Sequence, residues 1–146
     1  MPERALRALG AERPAGLIAA LREAGLPCGD LDEAIFYQLE DGQGPIAWAG
    51  LELYGREALL RSVVVPARQR GAGVGSDLVV RVMQAAAAQG VERLWLLTET
   101  AAPFFNRLGF RAAPRDEAPA AVRESSEFAS VCPASAACMI LALPGR

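Results

Sequence analysis

The sequence contains no histidine and only three cysteines, Cys28, Cys132 and Cys138. Without an imidazole, Ser-His and Cys-His nucleophile pairs are excluded, so a general base must be a carboxylate, a tyrosine, a thiol or water. The cysteines are odd in number and form no Cys-x-x-Cys pair. We therefore expect reduced structural thiols and no metal site.

Further absences concern location and partners. No apolar run approaches the roughly 20 residues that span a bilayer, and the first residues carry no signal-peptide core. A formal net charge of −2 gives no basic footprint for nucleic acid. We therefore expect a cytoplasmic protein that binds neither membranes nor nucleic acid.

The composition, 52% hydrophobic and 22% charged over 146 residues, is that of a folded domain with a sizeable core. We expect one domain over residues 1–146. Turn signals and hydrophobic periodicity predict strands over residues 3–9, 34–39, 46–54, 59–65, 94–97 and 137–143, and helices over 14–24, 74–88, 101–108 and near 120–123. The helix over 74–88 is expected to be amphipathic, with one apolar face formed by Val74, Leu78, Val79, Val82, Met83 and Ala86. Thr100 is expected to cap the third helix, with Pro103 in its first turn and Gly109 at its end.

The most informative stretch is the Val-rich strand at 59–65 and the loop that follows it, in which glycines alternate at 71, 73 and 75. A glycine-rich turn entering an amphipathic helix leaves backbone N–H groups and the positive end of the helix dipole available to a phosphate or pyrophosphate. The spacing fits neither the dinucleotide fingerprint nor the Walker motif. A phosphorylated cofactor is thus predicted; a simple chain reversal and a nucleotide site are the alternatives.

Two segments are informative together: Arg70–Gly75 reads R-x-x-G-x-G, and Phe104–Phe110 reads F-F-N-R-L-G-F. They resemble the acetyl-CoA pyrophosphate loop and the F-Y-x-x-L-G-F segment of the GNAT superfamily of N-acetyltransferases. The resemblance spans nearly the whole chain, most clearly residues 46–110. It implies an α+β (three-layer α/β) fold, with a mixed, splayed sheet of about six to seven strands flanked by about four helices. Acetyl-CoA is expected to enter between the strand ending at Val65 and the strand at 94–98.

The same resemblance assigns cofactor contacts. The backbone of Val63, Val64 and Val65 is expected to pair with the pantetheine arm, and Thr98 stands where many relatives carry a pantetheine-binding Asn. The pyrophosphate is assigned to Arg70, Gly71, Ala72, Gly73, Val74, Gly75 and Ser76.

Phe105 occupies a cofactor-side position where relatives commonly carry Tyr, the acid that protonates the leaving thiolate. Phenylalanine has no proton to donate, so water or another group supplies it, or the step needs no acid. Phe105 therefore also motivates the alternative of a catalytically silent acetyl-CoA-binding or regulatory module.

The tail E-F-x-x-x-C-P-x-S-x-x-C-M at 127–139 resembles the GNAT branch associated with arsenic-resistance operons. That branch resembles enzymes that acetylate the α-amine of glutamate-like toxins such as arsinothricin or phosphinothricin. The implied acceptor is the primary amine of a small molecule. The sequence leaves open whether the protein forms a homodimer. Three thiols in such a protein also suggest a metalloid site, although structural thiols are expected.

An amine attacks a thioester only when neutral, so a base must accept its proton. Glu52 is the first candidate, with a solvated strand-face carboxylate as the alternative interpretation. Glu99 is the second, with helix capping as the alternative. The backbone N–H of Val64 is expected to bind the oxyanion.

An anionic acceptor requires cations. Arg61 interrupts an apolar strand, where an unpaired charge is costly, so it is expected to be functional or paired. Arg123 is a second candidate, with a surface role as the alternative. Weaker substrate candidates are Tyr54, Ser126 and Phe36, and core packing is the favoured role of Phe36 and Phe105.

Overall fold

The computed structural model describes residues 3–29, 31–131 and 135–144. Seven strands form one mixed sheet, in the order β1-β2-β3-β4-β5-β7-β6. The strands are β1 (Ala5–Leu9), β2 (Ile35–Asp41), β3 (Gly44–Tyr54), β4 (Glu57–Val64), β5 (Arg93–Thr98), β6 (Arg111–Ala112) and β7 (Ala137–Ala142). The helices are α1 (Ala15–Glu23), α2 (Val74–Ala88), α3 (Ala102–Arg107) and α4 (Ala120–Arg123). The mixed α+β fold is confirmed.

The strand directions follow from the connections. Strands β1, β2 and β3 pair antiparallel. A short turn joins β2 to β3, whereas α1 lies in the connection between β1 and β2. Strands β4 and β5 run parallel, with Glu57 opposite Arg93 and Leu59 opposite Trp95. A parallel pair needs a long crossover, and α2 lies in that connection. The predicted splaying of the sheet stays a prediction.

One compact unit comprises Met1–Glu52 and Arg61–Gln84. Its core gathers the apolar stripe of α1, the inner face of β2 and the end of β4. The buried members are Leu9, Leu17, Ala20, Leu21, Leu31, Ala34, Phe36, Trp48 and Val64. The indole N–H of Trp48 donates to Gln38 (2.9 Å), so this buried polar pair is satisfied.

The other unit comprises Leu53–Leu60 and Ala85–Arg146. Its core consists of Leu59, Trp95, Ala118, Val122, Phe128, Cys138 and Ile140. The Glu57 carboxylate accepts a hydrogen bond from the Trp95 indole N–H (2.8 Å) and forms an ion pair with Arg93. Burial raises the pKa of the Cys138 thiol, which is free and buried; its structural role stays a prediction. Cys132 lies outside the described residues.

The predicted cap of α3 is wrong. Ala101 occupies the N-cap position, and the hydroxyl of Thr98, not of Thr100, accepts the Ala101 N–H at 3.0 Å. This is because β5 runs to Thr98 and the chain turns into the helix directly after it. The helix at 120–123 is confirmed, whereas the two-residue β6 was predicted as loop. In the described part of the chain, no helix is both long and apolar enough to cross a membrane.

Candidate active site

The loop between β4 and α2 has a backbone that requires glycine at two positions. The φ angles are +91° at Gly71 and +71° at Gly73, a region that strains L side chains. The N–H of Asp77 donates to the carbonyl of Gly73 (3.0 Å), so the N–H groups of the three preceding helical residues have no intrahelical acceptor. The loop is exposed at residues 70–73 and lies at the positive end of the α2 dipole. Both features favour the binding of an anion there.

Arg70 links this loop to the end of β4. Its Nε donates to the carbonyl of Val65 at 3.0 Å, across the 3₁₀ turn Ala67–Gln69. Strand β4 ends at Val64, one residue before the predicted end. Val64 is buried, whereas the side chains of Val63 and Val65 are partly exposed. The loop and the strand end are thus joined by one exposed guanidinium.

Ser62 interrupts the regular geometry of β4. Its φ of +55° makes it the one non-glycine residue with a positive φ in the described ranges. Such a conformation costs about 1–3 kcal/mol and concentrates at functional sites. Strand β4 is buried from Glu57 to Arg61, is partly exposed at Ser62 and Val63, and is buried again at Val64.

Arg61 and Glu52 form a buried ion pair. Nη1 of Arg61 donates to Oε2 of Glu52 at 2.9 Å, and the two side chains are 0% and 1% exposed. Nε of Arg61 donates to the Ser62 hydroxyl at 3.1 Å. The interpretation of Glu52 as a solvated carboxylate is therefore wrong, and the paired interpretation of Arg61 is confirmed.

The ion pair is packed against an aromatic side chain through a glycine. A Cβ at Gly50 would lie 3.1 Å from Cζ of Phe36 and 3.2 Å from Cγ of Arg61. Phe36 is fully buried, and the guanidinium of Arg13 lies over its ring, 5.1 Å from the centroid. Core packing, the favoured role of Phe36, is confirmed, and its ring and the stem of Arg61 both lie close to Gly50.

We expect Gly50→Ala to destabilise the protein by about 1–3 kcal/mol, because the new methyl group overpacks the space between Phe36 and Arg61. Gly10→Ala is the matched control, since nothing lies within 4 Å of a Cβ there. The entropy that alanine removes from the unfolded chain is shared by both variants. Urea unfolding measures the difference, and equal stabilities would contradict the close packing of Arg61.

The remaining predicted site residues lie in the unit that contains β5. Phe105 is 6% exposed and packs edge-to-face against Phe104 and Phe110, with centroids 5.0 and 5.6 Å away, so its core-packing role is confirmed. The side chain of Thr98 is partly exposed and that of Glu99 is exposed. Tyr54 packs against the cluster that includes Trp95, Arg123 is exposed at the end of α4, and Ser126 is partly buried. Their roles toward cofactor and substrate stay predictions.

A charged cluster beside the glycine loop was missed in the sequence. Arg4 donates from Nη1 to Oδ2 of Asp77 and from Nη2 to the carbonyl of Ala72, both at 3.1 Å, and Arg81 donates to Oδ1 of Asp77 at 2.7 Å. Burial raises the pKa of Asp77, but the hydrogen bonds from Arg81 and Arg4 outweigh it and hold the pKa below its usual value. Only the helical i,i+4 spacing of Asp77 and Arg81 could have signalled this cluster.

Within residues 3–29, 31–131 and 135–144, no group of three or more His, Cys, Asp or Glu side chains is arranged to hold a metal ion. The candidate site consists of the glycine loop, the irregular end of β4 and the buried Glu52–Arg61 pair.

Comparison with known proteins agrees with this geometry. The family profile described as "Acetyltransferase (GNAT) domain" matches residues 32–112. No curated protein sequence gives a significant match.

Three solved structures illustrate the structural likeness. N-acetylglutamate synthase from Neisseria gonorrhoeae, complexed with coenzyme A and N-acetyl-glutamate, superposes with a TM-score of 0.79 at 22% identity, covering 97% of this chain and 35% of that one. A GNAT-family acetyltransferase from Staphylococcus aureus gives 0.72 at 16% identity over 97% of this chain and 100% of that one. A GNAT acetyltransferase from Elizabethkingia anophelis with acetyl-CoA bound gives 0.69 at 14% over 96% and 98%. The chain thus spans about a third of the synthase, and at these identities the likeness concerns the fold.

Proposed function

Because this chain belongs to the GNAT acetyltransferase family, we propose that it transfers the acetyl group of acetyl-CoA to the primary amine of a small, glutamate-like amino acid. The observation that carries the proposal is the loop between β4 and α2. Two left-handed glycines, Gly71 and Gly73, lead directly into the start of a 15-residue helix. Such a loop presents consecutive backbone amides to a diphosphate, and the predicted contacts of Arg70–Ser76 and Val63–Val65 with acetyl-CoA rest on it.

In the proposed reaction the neutral amine attacks the thioester carbonyl carbon, the C–S bond breaks, and the CoA thiolate leaves. The amine loses a proton, which the base accepts. We assign the oxyanion to the N–H of Val64, supported by the strained backbone at Ser62 just before it. Glu52, which is buried, stays the first candidate for proton uptake. Glu99, which is exposed, stays the second.

The acceptor class is proposed from charge. Arg61, three residues before Val64, is a buried cation that already pairs with the Glu52 carboxylate, so in this proposal an acceptor carboxylate shares or replaces that contact. The N-acetylglutamate in the Neisseria complex and the resemblance of the 127–139 tail to the arsenic-resistance branch favour the same class. Arg123, Tyr54 and Ser126 stay further candidates for this contact. A cytoplasmic location and a homodimer stay predictions.

The test is release of free CoA thiol from acetyl-CoA, with mass spectrometry of the N-acetylated product. L-glutamate and phosphinothricin are compared with L-glutamine and with an amine lacking a carboxylate. We expect kcat/KM to favour the two dianionic acceptors by about tenfold or more, because a site built around a cation rejects a neutral analogue. Reaction with the carboxylate-free amine alone would exclude the acceptor class. Binding of acetyl-CoA without thiol release for any amine would favour the silent module.

A further inference from the structure

Arg4 lies immediately before the edge strand β1, far in sequence from the glycine loop, yet it makes a two-point contact with that loop. One terminal nitrogen donates to the carbonyl of Ala72 and the other to the Asp77 carboxylate, each at 3.1 Å. The side chain is 23% exposed, so it is partly shielded from water. The guanidinium therefore joins the tip of the loop to the first turn of α2.

The contact with Ala72 fixes the direction of a neighbouring amide. In a trans peptide the C=O of one residue and the N–H of the next point in opposite directions. With the Ala72 carbonyl held on Arg4, the N–H of Gly73 is directed away from the guanidinium. Gly73 has a φ of +71°, a conformation that a glycine leaves at little cost. Without an external contact, this peptide unit is free to rotate.

Asp77 places the guanidinium. Its two oxygens bind Arg4 and Arg81 separately, at 3.1 and 2.7 Å. One carboxylate thus orients two cations, and the cluster keeps a positive charge beside the loop. Such a charge favours a bound anion.

We propose that Arg4 is a positioning residue for acetyl-CoA: it holds the peptide unit between Ala72 and Gly73 so that the N–H of Gly73 faces the cofactor diphosphate. This inference rests on the proposed function, because it requires the loop to bind that diphosphate. A purely structural contact would stabilise the N-terminal segment and affect every acetyl donor alike.

The experiment compares two donors, acetyl-CoA and acetyl-pantetheine, which has the thioester arm but no diphosphate. For Arg4→Met we expect KM for acetyl-CoA to rise about three- to thirtyfold, less than for complete loss of a charge-assisted hydrogen bond, because the released peptide unit still adopts the binding orientation part of the time. The kcat/KM with acetyl-pantetheine should stay within about twofold of wild type. Arg4→Lys keeps the charge and only part of the contact, so its KM for acetyl-CoA should lie between those of the wild type and Arg4→Met. If Arg4→Met does not fold, Arg4→Lys is the variant that tests the proposal.

Arg7→Met is the matched control. Arg7 lies in β1, three residues after Arg4, and its side chain, paired with Glu12 and Glu40, is 50% exposed. The kinetic constants with both donors should therefore stay at their wild-type values. Equal losses with both donors in Arg4→Met, or unchanged KM values in both Arg4 variants, would overturn the positioning role. If the wild-type enzyme had the same kcat/KM with acetyl-pantetheine as with acetyl-CoA, the loop would not bind the diphosphate, and the proposed function would fail instead.

Discussion

Arg61→Met is expected to lower the free energy of unfolding by about 3–5 kcal/mol, because it leaves the buried Glu52 carboxylate without its guanidinium partner. The two side chains are 0% and 1% exposed, and their atoms lie 2.9 Å apart. Urea unfolding monitored by tryptophan fluorescence measures the change.

A double variant separates the cost of a broken pair from its net contribution. Glu52→Leu combined with Arg61→Met removes both charges, and we expect it to recover most of the stability lost by the single change, since apolar pairs often replace buried ion pairs without loss. The exposed pair Arg56–Glu92, with side chains 78% and 46% exposed, is the control. Arg56→Met should change stability by less than about 0.5 kcal/mol. A loss in Arg61→Met as small as in Arg56→Met would contradict the buried pair.

The double variant also tests whether the pair takes part in the chemistry. If Glu52 accepts the amine proton, a folded Glu52→Leu/Arg61→Met protein should lose about 10²–10⁴-fold in kcat, the range for general acid–base catalysis. A stable double variant that keeps wild-type kcat would remove Glu52 from the proton path and leave the exposed Glu99 as the candidate. The two measurements on one protein thus distinguish stability from catalysis.

The parts of this structure that could be predicted are those set locally. The helix after the glycine loop follows from its apolar periodicity. Of its predicted face, Met83 is partly exposed and the others are buried: Val74, Leu78, Val79, Val82 and Ala86. The short helix at 120–123 follows from Pro119 before it, since proline suits a helix start. Thr100 misled because capping depends on where β5 ends, and strand ends depend on pairing with neighbours.

Partnerships between distant residues could not be predicted with the same rules. Arg4 and Ala72 are 68 positions apart, and no local pattern relates them. Glu52 and Arg61 are closer to a predictable case, because β3 ends at Tyr54 and β4 begins at Glu57. A two-residue connection would place Gly50 opposite Arg61 and Glu52 on the diagonal. That register signal was available, but the burial that makes the pair matter comes from the packed sheet.

The glycine loop gives the second large effect. We expect Gly73→Ala to raise KM for acetyl-CoA about ten- to a hundredfold, because moving one backbone amide away from a diphosphate forfeits a charge-assisted hydrogen bond. The backbone angle is the only obstacle, since φ is +71° and nothing lies within 4 Å of a Cβ there. Left-handed backbone costs alanine about 1–2 kcal/mol, so the folded protein should persist.

Gly55→Ala is a closely matched control for this strain. Gly55 has a φ of +68°, also with nothing within 4 Å of a Cβ, and it lies in the turn between β3 and β4. The two variants should therefore lose similar stability in urea unfolding, whereas only Gly73→Ala should lose affinity for acetyl-CoA. If both variants raise KM equally, the effect comes from general destabilisation. If Gly73→Ala binds acetyl-CoA as tightly as wild type, this loop does not hold the diphosphate, and the cofactor assignment fails with it.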